Sequence, residues 1–258
     1  DDLAGALAEV TGIATVVKNG TGRVRSLEGL PEETVVMPGV LGGPVPVPAN
    51  GATYMADLPG GPKHGLHCDQ RPNHAFAARL ARGARLLDVF SHVGGFALAC
   101  LAGGAASALS VDASAAALDL AGQGAEASGV ADRFASRKGD AFAVMEALAG
   151  EGERFGLVVC DPPAFAPGKS ALAAGLRAYE RVARLAAPLV APGGFLCLCS
   201  CSHAADLAQF RNASARGIGR GARRAQILHT GFAGADHPQL PQLAESGYLK
   251  ALFFRLDG

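Results

Sequence analysis

The chain has 258 residues, 49% of them hydrophobic, with 23 basic and 23 acidic side chains and no formal net charge. That is enough for one large domain, or one domain with a smaller appendage, around a sizeable core. The charge balance excludes a uniformly basic nucleic-acid coat but not a local basic face, and no apolar run reaches the roughly 18 residues of a membrane span.

The N-terminal Asp1-Asp2-Leu3 lacks both a starting Met and the basic-then-apolar layout of a secretory signal, so further residues are expected upstream. Residues 1–80 are rich in Gly, Pro and short β-like runs. Ala14 to Val17, followed by Gly20-Thr21-Gly22 and Val24, predicts a hairpin. Pro44-Val45-Pro46-Val47 and Ala52-Thr53-Tyr54-Met55 predict further strands, the first confined to a sheet edge by its prolines.

From residue 84 the pattern becomes strand, helix, strand, helix. Strands are predicted at Arg85 to Val89, Ser107 to Val111, Phe134 to Arg137, Phe155 to Cys160 and Phe195 to Cys199 (after a turn at Pro192-Gly193-Gly194), with closing strands at Arg224 to Leu228 and Leu249 to Arg255. Helices are predicted from Phe96, over Ser114 to Ala127 with Ser114 as N-cap, over Ala141 to Leu148, Ala171 to Val190 and His203 to Ala215. This alternation is that of an α/β fold with a mostly parallel sheet covered on both faces.

Ligands of such sheets sit outside the carboxyl ends of the strands. There the sequence places Asp88, Asp112, Asp140, Asp161 and Cys201, a coincidence that ordinary strand ends do not produce. The first turn, Asp88-Val89-Phe90-Ser91-His92-Val93-Gly94-Gly95, lacks the G-x-G-x-x-G spacing for a pyrophosphate. It suits an adenosyl ligand without a diphosphate, with Asp112 placed for ribose hydroxyls and NAD as the alternative ligand. In Asp161-Pro162-Pro163-Ala164-Phe165, two prolines carry the chain out of the strand rigidly extended. That arrangement holds an acid and an aromatic beside a planar base.

The six cysteines (Cys68, Cys100, Cys160, Cys197, Cys199, Cys201) show no CxxC pair, which points to a reducing cytoplasm rather than a disulfide framework. Cys197 and Cys199 read as small buried hydrophobes. Cys201, between Ser200 and Ser202 just past a strand, reads as a thiol able to add to a substrate carbon. Asp69, Gln70 and Arg71, in a polar stretch that begins at Gly61-Pro62-Lys63, read as part of a cofactor lid. Arg211, Arg216, Arg220, Arg223 and Arg224 form either a solvated surface or a phosphate-facing patch.

Taken in order, several motifs resemble the large-subunit rRNA cytosine-C5 methyltransferase I family, from about Tyr54 to the C-terminus. They are Gly65 to Arg71, Leu87 to Phe96, Gly139-Asp140-Ala141-Phe142, Asp161 to Phe165, Ser200-Cys201-Ser202, Asp236-His237-Pro238 and Tyr248-Leu249-Lys250. The resemblance implies a Rossmann-like class I methyltransferase domain over residues 81–258, with a mostly parallel seven-stranded sheet and helices on both faces. A small β-rich domain and cofactor lid over residues 1–80 would precede it. It implies S-adenosyl-L-methionine as methyl donor, rRNA or another RNA as substrate, no membrane and a cytoplasmic location; a homodimer stays open.

By position, the resemblance implies cofactor contacts from Asp69, Gln70, Arg71, Asp88, Phe90, Gly94, Asp112, Ala113, Asp140, Ala141 and Asp161, substrate contacts from Pro162, Pro163 and Phe165, and catalysis by Cys201 and Asp161, without a metal. Two departures stand out. The family's N-terminal PUA domain is not found in residues 1–50, and its Lys-Thr-Gly lid segment reads Lys63-His64-Gly65. Ser-Cys-Ser separates this family from the related guanine-N7 enzymes, so Cys201 discriminates between them. The alternatives are a methyltransferase on guanine, an exocyclic amine, protein or a small molecule, and a non-catalytic RNA-binding relative.

Overall fold

The computed structural model describes residues 2–20, 25, 28–31, 33–37, 39–58 and 65–257. These divide into two compact units: Asp1–Val47 with Met55–Leu66, and Pro48–Tyr54 with His67–Gly258.

The first unit carries a helix, α1 (Asp2–Thr11), and the antiparallel pair β1 (Val17–Gly20) and β2 (Glu33–Val36). Strand β1 pairs with β2, Val17 opposite Val36; the hairpin partner expected near Val24 lies outside the described residues, as do residues 21–23. Lys63 and His64 of the expected lid also lie outside them. Strands β3 (Val45–Ala49) and β4 (Ala52–Ala56) form a two-stranded sheet. Their turn is Asn50-Gly51, with φ of 51° and 76°, the left-handed pair that a two-residue hairpin turn demands.

The second unit is built on a seven-stranded sheet, in order β10-β11-β9-β8-β5-β6-β7. Its strands are β5 (Arg85–Val89), β6 (Ser107–Asp112), β7 (Phe134–Lys138), β8 (Phe155–Cys160), β9 (Val190–Ser200), β10 (Ala225–Gly231) and β11 (Lys250–Leu256). Strands β5 to β9 run parallel; β11 is antiparallel to both of its neighbours. Leu86, Leu87, Val89, Leu157, Val158 and Val159 are fully buried, as central parallel strands covered on both faces require. The order of connection reverses between β5 and β8, and that switch point opens the crevice where ligands of such sheets bind.

The helices are α2 (Arg71–Leu80), α3 (Gly95–Ala102), α4 (Ala115–Ala127), α5 (Ala141–Gly150), α6 (Leu172–Ala186) and α7 (Leu207–Arg220). Ser114 caps α4, its side chain accepting from the Ala117 N–H, as expected. Helix α2, for which the sequence reading had no element, carries Pro72 in its first turn, where no N–H is needed. Three expectations are corrected. Helix α6 ends at Ala186 because Pro188 follows, and a short 3-10 turn, Ala187–Leu189, leads into β9. Strand β9 runs through Pro192-Gly193-Gly194 as a bulge, five residues of β9 advancing against two of β8, with Gly193 at φ 72°. Helix α7 starts at Leu207 because Asp206 and Gln209 form a reciprocal capping box.

Helices α6 and α7 pack closely. A Cβ on Gly217 would lie 2.6 Å from Ala183 Cβ and against the Glu180 carbonyl. One on Gly219, two residues later, would meet nothing within 4 Å. Gly217→Ala is therefore expected to destabilise by about 1–3 kcal/mol through overpacking, although alanine is the better helix former. Gly219→Ala should stabilise by up to about 1 kcal/mol. Urea unfolding of the two variants checks the contrast; equal shifts would refute it.

Candidate active site

At the carboxyl end of the sheet, three carboxylates converge. Asp88 lies inside β5 rather than ending it, is 1% exposed, and accepts the Ala97 N–H at 3.0 Å from the first turn of α3. Its other oxygen, Oδ1, is buried without a hydrogen-bond partner. Burial pushes its carboxyl up to about 8; the Ala97 N–H opposes that rise, and the nearby Asp161 and Asp112 carboxylates add to it.

Asp112 ends β6. Its Oδ2 accepts the His92 N–H at 2.9 Å and its Oδ1 the Ser114 N–H at 2.8 Å, so its carboxylate is fixed while remaining half-exposed. The β5–α3 loop reaches it through left-handed residues at Phe90 (φ 62°), His92 (49°) and Gly94 (77°). Phe90 and His92 carry side chains in a conformation normally left to glycine, and such strain is held only by a loop that its surroundings over-determine. The His67 and His92 rings stack there, 4.9 Å apart. Asp140 caps α5 through the Ala143 N–H at 2.9 Å; the adjacent Ala141 is buried and Ala113 is exposed.

Asp161 stays bound to β5, its N–H donating to the Val89 carbonyl at 3.2 Å. Gln70 Nε2 donates to Asp161 Oδ2 at 3.0 Å, and Asn73 Nδ2 donates to Gln70 Oε1 at 2.7 Å. Gln70 is thus oriented as a donor toward the acid. Tyr248 donates to Asp69 Oδ2 at 2.8 Å; burial and that bond raise the phenol's pKa. Arg71 instead turns to Asp236, 2.6 Å away. Pro162 is buried, Pro163 exposed and Phe165 half-buried, in ring contact with Phe90, Phe142 and Tyr179.

Cys201 lies just past β9, half-buried, its Sγ 4.0 Å from the Pro162 carbonyl. Its flanking serines do the holding. Ser202 Oγ accepts the Ala166 N–H at 3.0 Å and shares a hydrogen bond with Tyr179 Oη at 2.8 Å; Ser200 Oγ donates to the same phenol at 3.0 Å. From β11, the buried ammonium of Lys250 donates to the Ser202 and Ala205 carbonyls, each at 2.7 Å, and burial lowers its pKa.

The structure therefore brings Gln70, Asp88, Asp112, Asp161, the Pro162–Phe165 turn and Cys201 to one sheet edge. Sequence reasoning gave no role to Asn73, His92, Phe142, Tyr179, Ser200, Ser202, Tyr248 or Lys250. Ser200, Ser202, Tyr248 and Lys250 stand inside quoted motifs, and the motif spacing was the signal available for them. Tyr179 carries no local signal, because its partners Ser200 and Ser202 are 21 and 23 residues away; Asn73 stands three residues from Gln70, but its second partner, the Phe232 carbonyl, is 159 residues away.

Residues 43–255 match a protein family described as S-adenosylmethionine-dependent methyltransferase. The chain is 36% identical over 234 residues to the ribosomal RNA large subunit methyltransferase I of Aeromonas salmonicida, covering 90% of this chain and 59% of that protein. It is 35% identical over 262 residues to that of Tolumonas auensis, covering 98% and 65%. The chain thus spans about three fifths of the length of these relatives. Among solved structures, a protein complexed with SAH shares the fold, with a TM-score of 0.76 at 21% identity, over 86% of this chain and 58% of the other.

The raised Asp88 carboxyl makes folding take up a proton between its ordinary value of 3.8 and about 8. The folded state holds that proton and the unfolded state does not, so stability falls as pH rises through this window. Asp88→Asn, uncharged throughout, is expected to flatten that fall. Urea midpoints at about pH 5 and about pH 8 check it; parallel pH profiles for parent and variant would refute the assignment.

Proposed function

The chain belongs to the S-adenosylmethionine-dependent methyltransferase family, and on that premise we propose that it methylates C5 of a cytosine in large-subunit rRNA through a covalent bond from Cys201. The observation that carries the reading is the position of that thiol, against the carbonyl of Pro162 in the Asp161-Pro162-Pro163 turn and fixed by serines on both sides. The names of the relatives support the acceptor.

The donor set fits the methyl donor. Asp88, Asp112 and Asp161 converge with no arginine or lysine among them in the described residues, which favours a ligand carrying hydroxyls, amines and positive charge and repels a diphosphate. That weighs against NAD. Asp112 would accept from the ribose hydroxyls. Phe90, Gly94, Ala113, Asp140 and Ala141 would line the adenosyl portion, and Asp69 and Gln70 would close over it from the start of α2. S-adenosyl-L-methionine, once bound, supplies an electrophilic methyl group on a sulfonium.

Cytosine C5 is a poor nucleophile. In the proposed reaction the Cys201 thiolate bonds to C6, and the displaced electron pair makes C5 enamine-like, able to take the methyl group. Loss of the C5 proton to a base then breaks the S–C6 bond and restores the ring. Asp161, held by Gln70, would hydrogen-bond the base edge, while Phe165 would stack on its face; the base enters unpaired or flipped out. An RNA substrate and the buried thiols Cys100, Cys160, Cys197 and Cys199 support a cytoplasmic place of work.

Cys201→Ala is expected to abolish methyl transfer to rRNA while leaving the S-adenosylmethionine affinity unchanged by titration calorimetry. Retained transfer would move the acceptor away from cytosine C5. Asp112→Ala should weaken S-adenosylmethionine binding by about 10- to 100-fold, the loss of a charge-assisted hydrogen bond; undiminished affinity would remove Asp112 from the cofactor site.

A further inference from the structure

Of the arginines grouped by sequence, most are engaged within the fold. Arg223 donates to the Val190 carbonyl at 2.7 Å and to the Asp257 carbonyl at 2.6 Å. Arg216 (3.0 Å) and Arg220 both bond the buried carboxylate of Glu180. A different set of arginines, on α6, is turned outward. Arg177, Arg181 and Arg184 are exposed and spaced i, i+4 and i+7, so they form one stripe along the helix. With Arg220 and Glu180 they line a cavity of about 270 Å³ between α6 and α7.

Four guanidiniums around one carboxylate leave an excess of three positive charges, in a chain whose overall charge is zero. Glu180 is already occupied by Arg216 and Arg220. The ion pair of Arg181, with Glu146 at 3.5 Å, is exposed, and Arg177 and Arg184 have no ion-pair partner among the described residues. Keeping like charges together costs Coulomb energy unless an anion is bound there.

The stripe also has a direction. Helix α6 follows the Asp161–Phe165 turn, so Arg177 is nearest the active edge and Arg184 farthest from it. Arg181 lies over the Phe142 ring at 4.4 Å, and Phe142 touches Phe165, the residue assigned to stack on the substrate base. A continuous aromatic-to-arginine track leads from the base position into the groove.

We propose that this groove binds the phosphodiester backbone of the RNA substrate beside the target base, through Arg177, Arg181, Arg184 and Arg220. The proposal rests on the RNA acceptor argued above. At 1.5 Å per residue the stripe extends about 10 Å, the length of about three stacked nucleotides at 3.4 Å each. Guanidiniums pair with phosphate oxygens in a planar fork and stack on rings, and a backbone contact of this kind positions the strand without reading its sequence.

The test measures binding of a short fluorescein-labelled single-stranded RNA by the full chain across a salt series, with S-adenosylmethionine affinity followed in parallel. Arg177→Ala with Arg184→Ala removes two phosphate contacts. The dependence of log K on log salt should become shallower by about 1.4, at about 0.7 for each contact to a single strand. S-adenosylmethionine affinity should not change, and the double lysine variant should restore most of the slope. An alanine variant with the parent's affinity and slope overturns the groove while leaving the RNA acceptor standing. A parent that binds S-adenosylmethionine but no RNA at low salt overturns the acceptor and the groove together.

Discussion

One hydroxyl joins the two loops on which the site depends. Ser202 Oγ accepts from the backbone of Ala166, at the end of the Asp161–Phe165 turn, and shares a proton with Tyr179 on α6. The turn after β8 and the loop after β9 are thereby tied to each other through a serine hydroxyl that the Tyr179 phenol holds in place. Tyr179 closes the arrangement by also accepting from Ser200. Buried polar groups in such a network are costly when unpaired and firmly placed when paired. The serines on either side of Cys201 therefore belong to the construction of the loop, which leaves the thiol for the role proposed for it.

The second constraint is electrostatic. Three acids share one strand edge, and the deepest of them, Asp88, holds its proton up to about 8. Bringing a cationic ligand to that edge lowers the mutual repulsion of the acids. Recognition of a positively charged donor and relief of that repulsion are then the same interaction. Three exposed arginines, Arg177, Arg181 and Arg184, stand elsewhere, along α6, in a chain of no net charge.

Much of this was legible in the sequence. Strands β5 and β8 were read to the residue, because central parallel strands are short, apolar and bounded by turns. The strand-end residues Asp112 and Asp161 and the outlying Cys201 followed from the same reading. What escaped was non-local or masked by composition. Helix α2 opens with Arg71-Pro72-Asn73-His74, a polar stretch that looks like a linker until Asn73 and His74 are seen to be buried. The β9 bulge hid because Pro-Gly-Gly has the composition of a turn, and only pairing with β8 makes it a strand. The start of α7 was within reach, since Asp206 and Gln209 carry the capping-box spacing. The division of labour among the arginines depended on which carbonyls and carboxylates lay beneath them, and no pattern in the chain records that.

Strand β11 follows every other strand of its sheet in the chain, yet it lies between β9 and β10. Until it is made, β9 has an open edge, and the carbonyls of Ser202 and Ala205 lack the ammonium of Lys250 that gathers them. During synthesis the thiol-bearing loop is thus among the last parts to take its final shape. A ribosome-bound or truncated chain lacking these residues would carry Asp88, Asp112 and Asp161 without a finished place for Cys201. On the role proposed for that thiol, strand order alone defers reactivity until the sheet is closed.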